Sequence, residues 1–79
     1  VKKQISDVDD EMKKSLDKFR RAIIRQRYIL GLSQLDIAER MDCNLNTYGR
    51  IERGQVNPSL TMVIRMASAL ETSINELIE

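Results

Sequence analysis

Two adjoining stretches, Ser33-Gln34-Leu35-Asp36-Ile37-Ala38-Glu39-Arg40-Met41 and Leu45-Asn46-Thr47-Tyr48-Gly49-Arg50-Ile51-Glu52-Arg53-Gly54, decide how this chain folds. Each sets apolar residues at helical spacing, and only Asp42, Cys43 and Asn44 lie between them. Two helices this short, joined by so tight a turn, cannot pack independently. One of them is turned outward, as a probe that fits the major groove of DNA.

Capping residues delimit both helices. Ser33, with Asp36 three positions on, opens the first of the pair, whose inner face is expected to be Leu35, Ala38 and Met41. Asn44 opens the second, Tyr48 and Ile51 point inward, and Gly54 stops it. Upstream, Ser6 with Asp7, Asp9 and Asp10 marks a helix start, and Asp9 with Lys13, Asp10 with Lys14 and Asp17 with Arg21 supply acid-before-base pairs. The stripe Val8, Met12, Leu16, Phe19, Ile23 extends that first helix from about Asp7 to Leu30, where Gly31 ends it; its first half exceeds what the core needs. Downstream, Asn57-Pro58-Ser59 marks a turn into a fourth helix lined by Leu60, Val63, Met66, Ala67 and Leu70. Ser73 with Glu76 then opens a short fifth helix holding Ile74, Leu77 and Ile78. The fold class is therefore all-α, with a helical extension over 1–18 and a single domain over 19–79.

Composition excludes most chemistry. Seventy-nine residues support one modest core and no deep substrate cavity. The chain has no His, one Cys and no Gly-rich phosphate loop, so zinc sites, catalytic triads and nucleotide cradles are not expected; nor is an enzyme, a metal or a cofactor. Cys43 reads as a small buried or turn residue, and a lone thiol suits a reducing compartment. No apolar run approaches the roughly 20 residues of a membrane span and no signal-peptide pattern is present, so a soluble cytoplasmic protein is expected, without a membrane partner. Val1 in place of Met suggests a piece of a longer or processed chain. The net charge of +1 conceals an asymmetry: residues 1–31 carry nine Lys or Arg against five acids, and residues 32–79 carry four against seven. Arg20, Arg21, Arg25, Arg50 and Arg53 form a phosphate-attracting stripe only if folding gathers them; otherwise they are a solvated face.

Over residues 19–79 the chain resembles the Cro/CI (XRE-type) repressor family. The resemblance rests on Gly31-Leu32-Ser33-Gln34, on Ala38, on Ile51-Glu52-Arg53-Gly54 and on Asn57-Pro58-Ser59 leading into an apolar helix. It implies a five-helix lambda-repressor-like DNA-binding domain in which helices 2 and 3 are the helix-turn-helix. Two positions depart from the pattern. Asp42 stands where the turn usually has Gly in the left-handed region. Gly49 sits inside an exposed helix at a cost of roughly 1 kcal/mol relative to Ala, so it is either tolerated or needed for close approach to a phosphate or base.

Stepping 100° per residue, Asn46, Gly49, Arg50 and Arg53 share the side of helix 3 opposite Tyr48 and Ile51. Arg50 suits guanine O6 and N7 and Asn46 suits adenine N6 and N7, each worth about 1–3 kcal/mol of discrimination; Leu45 suits a thymine methyl. The resemblance implies Leu45, Asn46, Thr47 and Arg50 as base readers. Gln34, at the amino end of helix 2, is a phosphate ligand or a surface cap, and Asn44, Arg53, Gln55 and Asn57 are further phosphate contacts. Glu52, opposed by the helix dipole, needs a cation, and the resemblance names Arg27 as its structural partner.

One short helix reads few base pairs. A homodimer on a near-palindromic operator is therefore expected, its reading helices roughly 34 Å apart. Met62, Ile74 and Ile78, or Val8, Met12 and Leu16, could form its interface, and packing within the subunit competes for both sets. The expected function is sequence-specific binding of double-stranded DNA as a transcriptional regulator, a repressor in the first place. An antitoxin or restriction-modification controller acting on its own operon, and a protein-interaction module without a DNA role, are the alternatives.

Overall fold

The computed structural model describes residues 4–79. Five helices follow one another: α1 (Ile5–Leu30), α2 (Gln34–Arg40), α3 (Leu45–Glu52), α4 (Leu60–Ala69) and α5 (Ile74–Ile78), with no strand among the described residues. No helix among them is long and apolar enough to cross a membrane, and no His, Cys, Asp or Glu cluster there could hold a metal ion.

Caps set most of the boundaries. Ser33 and Asp36 form a reciprocal capping box, and Asn44, Ser59 and Ser73 each accept a backbone N–H through the side chain. At α5 the reciprocal arm is diverted, because Glu76 Oε2 accepts from Thr72 Oγ1 at 2.6 Å. Gly31, at φ 69°, closes α1 as its N–H reaches Tyr28 O and the next N–H reaches Arg27 O. Asp42 adopts φ 54°, the left-handed geometry the turn requires, and Glu71 does the same after α4 at φ 56°. Cys43, half-buried in that turn, has its thiol pushed up by burial.

The core gathers Phe19 and Ile23 of α1, Ile37, Ala38 and Met41 near α2, Tyr48 and Ile51 of α3, Met66, Ala67, Ala69 and Leu70 near α4, and Leu77 of α5. Four expectations change here. The inner face of α2 is Ile37, Ala38 and Met41; Leu35 stands at its edge and is 49% exposed, since the buried trio spans only about 100° of the helix. Leu60 is exposed, because burial in α4 begins a turn later at Met62 and Val63 and is complete at Met66. Ser6 does not cap α1, which starts one residue earlier after Gln4, and Asp17 pairs with Arg20 at 2.7 Å, three residues on. The first half of α1 overshoots the body and leaves Ile5, Val8 and Met12 exposed, which gives a long axis of 44 Å.

A buried ion pair orients α3. Arg27 Nε and Nη2 donate to Glu52 Oε2 and Oε1 at 2.7 and 2.9 Å, and Arg27 Nη1 donates to Leu32 O. Gln34 Nε2 donates to the same Oε1 at 2.9 Å, so one carboxylate joins α1, α2 and α3. Burial pushes the Glu52 carboxyl up, but hydrogen bonds from Arg27 and Gln34, the nearby Tyr48 hydroxyl and the charge of Arg27 outweigh it and hold the group below its ordinary 4.5. The Tyr48 hydroxyl is buried beside the pair without completing a hydrogen bond of good geometry, so its influence there is mainly that of a nearby dipole. Burial, then the Glu52 carboxylate, drive its own titration well above the usual range.

Removing one partner strands the other charge in a dry site. Arg27→Ala should cost about 3–5 kcal/mol, lowering the thermal midpoint by more than about 10 °C in a domain this small; an unchanged midpoint would refute the assignment. The pH dependence has a definite sign. Glu52 binds its proton less readily folded than unfolded, so the pair's stability is present above about pH 4.5 and is lost as pH falls through the lower, folded value. Asp36, held below 3.8 by the Ser33 backbone N–H and then the Ser33 side chain, adds to the same acid limb. Thermal midpoints measured from neutral to acid pH should fall only on that limb, and Glu52→Gln should flatten it while lowering the plateau.

Candidate nucleic-acid interface

Helix α3 is held from below by Tyr48 and Ile51, both buried, which leaves Asn46 and Arg50 exposed on its outer side. Leu45, 45% exposed, stands at the edge, and Thr47 is half-buried with its N–H taken by Asn44 Oδ1 at 2.7 Å. Gln34, Asn44, Leu45, Asn46 and Arg53 line one shallow depression. That depression brings three residues expected at phosphate beside two expected at bases. Arg50 lies along the helix from it, and Gln55, whose N–H bonds Arg50 O at 2.9 Å, follows the helix end. Asn57 is placed elsewhere: it lines the wall facing α1.

Gly49 does not belong to the outward stripe; it is buried. A Cβ there would lie 2.9 Å from Arg53 Nη1 and 3.4 Å from Gln34 Oε1. Helical side chains lean back toward the N-terminus, so the long Arg53 folds over the residue one turn before it. The close approach that Gly49 permits is thus to Arg53 and Gln34.

Sequence reasoning missed a second approach of this kind. A Cβ at Gly54, where φ is +73°, would lie 1.9 Å from Arg20 Nη1, so the guanidinium of Arg20 rests on the turn that ends α3. Arg20 is the residue of the basic α1 set that folding brings to α3, while Arg21 and Arg25 remain exposed on α1. The only available signal was a glycine at the helix stop and a long cation next to Phe19 at the start of the buried stripe.

Charge follows the geometry. Glu52, the acid of α3, is neutralised by Arg27, and the ion pairs of the described residues engage neither Arg50 nor Arg53. The exposed face therefore presents cations, amide donors and one apolar edge.

Comparison with known proteins identifies the family. The model of the helix-turn-helix family matches residues 23–77. Over 60 residues the chain is 30% identical to the cryptic phage CTXphi transcriptional repressor RstR of Vibrio cholerae, covering 76% of this chain and 54% of that protein. The chain thus spans about half the length of this curated relative. Its fold superposes on the restriction-modification controller protein C.AhdI from Aeromonas hydrophila with a TM-score of 0.74 and 35% identity, covering 78% of this chain and 94% of that one. With α2 and α3 as its two-helix unit, the chain belongs to the Cro/CI (XRE-type) family of helix-turn-helix DNA-binding domains.

Proposed function

We infer that the protein is a regulator of transcription, first of all a repressor, that binds double-stranded DNA sequence-specifically through α3. The observation that carries this reading is the outward display of Asn46 and Arg50 on a helix anchored from beneath by Tyr48 and Ile51. Arg50 reads a guanine, Asn46 an adenine, and Leu45 and Thr47 contact neighbouring base edges. Gln34, Asn44, Arg53 and Gln55 grip phosphates and set register, while Asn57, on the wall facing α1, lies apart from them. Two of these keep donors free for that task. Gln34 Nε2 has a second N–H beyond the one given to Glu52, and Asn44 caps α3 through its oxygen, leaving its amide NH2.

Specificity from one short helix calls for two copies. Leu60, Ile64 and Ile78 expose apolar surface on α4 and α5, next to Met62 and Ile74, which are half-buried against the core. We take this face as the homodimer contact, which sets two copies of α3 on a near-palindromic operator. The likeness to C.AhdI across nearly that whole chain supports a second reading, a controller acting on its own restriction-modification operon. Either role is exercised where the DNA is, in the cytoplasm.

Duplexes selected from a random pool test the assignment. Arg50→Ala should weaken binding by about 1–3 kcal/mol and relax preference at one position. Arg53→Ala should weaken all sequences alike and reduce the salt slope by about one. Binding indifferent to both salt and Arg50 would identify a protein-interaction module. Gly49→Ala separates folding from recognition: it should raise stability by up to about 1 kcal/mol through helix propensity, while displacing the Arg53 guanidinium and weakening DNA binding. In an Arg53→Ala background, duplex titration should show no such loss.

A further inference from the structure

We propose that the first half of α1 is a self-association surface whose occupant is the same segment of a second copy, laid antiparallel. This surface lies outside the residues that match the family model. Ile5, Val8 and Met12 are 82%, 40% and 53% exposed. With the half-buried Leu16 they recur every three or four residues, the spacing of a seam between two packed helices, and the stripe passes into the subunit's own core at Phe19. A groove runs beside the seam, with Val8, Met12 and Leu16 on one wall and Asn57 and Pro58 on the other. It continues past Leu16 to Phe19 and Val56.

Charge order selects the occupant and its direction. Along α1 the acids come first, at Asp7, Asp9, Asp10 and Glu11, and the bases follow, at Lys13, Lys14, Lys18, Arg20 and Arg21, with Asp17 among them paired to Arg20. A parallel copy would set acid against acid, whereas an antiparallel copy sets each block against its opposite. One register suits the exposed part of the seam. With Met12 level with Leu16 of the second copy, Glu11 comes beside its Lys18 on the flank, and Val8 reaches the groove beside Val56. Asn46 and Arg50 do not line the groove, so the reading face stays open. The contact is separate from the α4–α5 face and does not rest on the DNA reading.

Sedimentation equilibrium of the full chain tests the surface directly. Met12→Glu, at an exposed position, should halve the largest assembly that the unaltered chain forms while leaving the thermal midpoint and Arg50-dependent DNA binding in place. Glu11→Lys and Lys18→Glu should each weaken self-association on the order of tenfold through two reversed pairs, and an equimolar mixture of the two should restore it. Ile64→Glu, scored separately, reports on the α4–α5 face, so the failure of one contact is distinguishable from that of the other. An unchanged mass for Met12→Glu, or a mixture no better associated than its components, overturns the proposal.

Discussion

Everything on the reading side of this domain depends on one carboxylate kept charged in a dry place. Glu52 sits near the carboxyl end of α3, where the helix dipole disfavours it, and burial disfavours it again. Arg27 reverses the balance with two short hydrogen bonds, and Gln34 adds a third. Three helices are thereby tied to a single pair of oxygens. Such pairs seldom add much net stability against an apolar replacement, but breaking one is costly, so the contact specifies one arrangement of α1, α2 and α3.

That arrangement has an electrostatic result. With its acid neutralised from inside, α3 offers the outside only amides, an apolar edge and cations. Gly49 strengthens the effect by letting Arg53 lie back on the helix beside Gln34. Local helix stability is given up at that position, and what is gained is a guanidinium held close to the reading helix. The groups proposed to grip phosphates are thus packed against the helix proposed to read bases, and on that proposal the register of the domain on a duplex and the bases that it meets are set together.

The order of helices, the caps at Ser33, Asn44 and Ser59, the stop at Gly31 and the turn at Asp42 were legible in the sequence because each is decided by neighbours within four residues. The failures have the opposite character. Helix α2, at seven residues, is under two turns, too short for periodicity alone to choose between Leu35 and Ile37. Leu60 fits the apolar stripe of α4 but precedes the point where that helix meets its partners. At the interface, exposure of Asn46 and Arg50 followed from helical geometry, whereas the burial of Gly49 and the arrival of Arg20 at Gly54 depend on long side chains folding through space. No spacing rule encodes those contacts.

The meeting of Arg20 with Gly54 carries an evolutionary corollary. The guanidinium occupies the volume that any β-carbon at 54 would claim, and the left-handed backbone there already penalises every residue with a side chain. A drift at 54 toward Asn, the least strained substitute, would push the flexible end of Arg20 off the turn. The two sites should therefore covary among descendants of this chain, with a long basic residue at 20 resting on the turn only where glycine is retained.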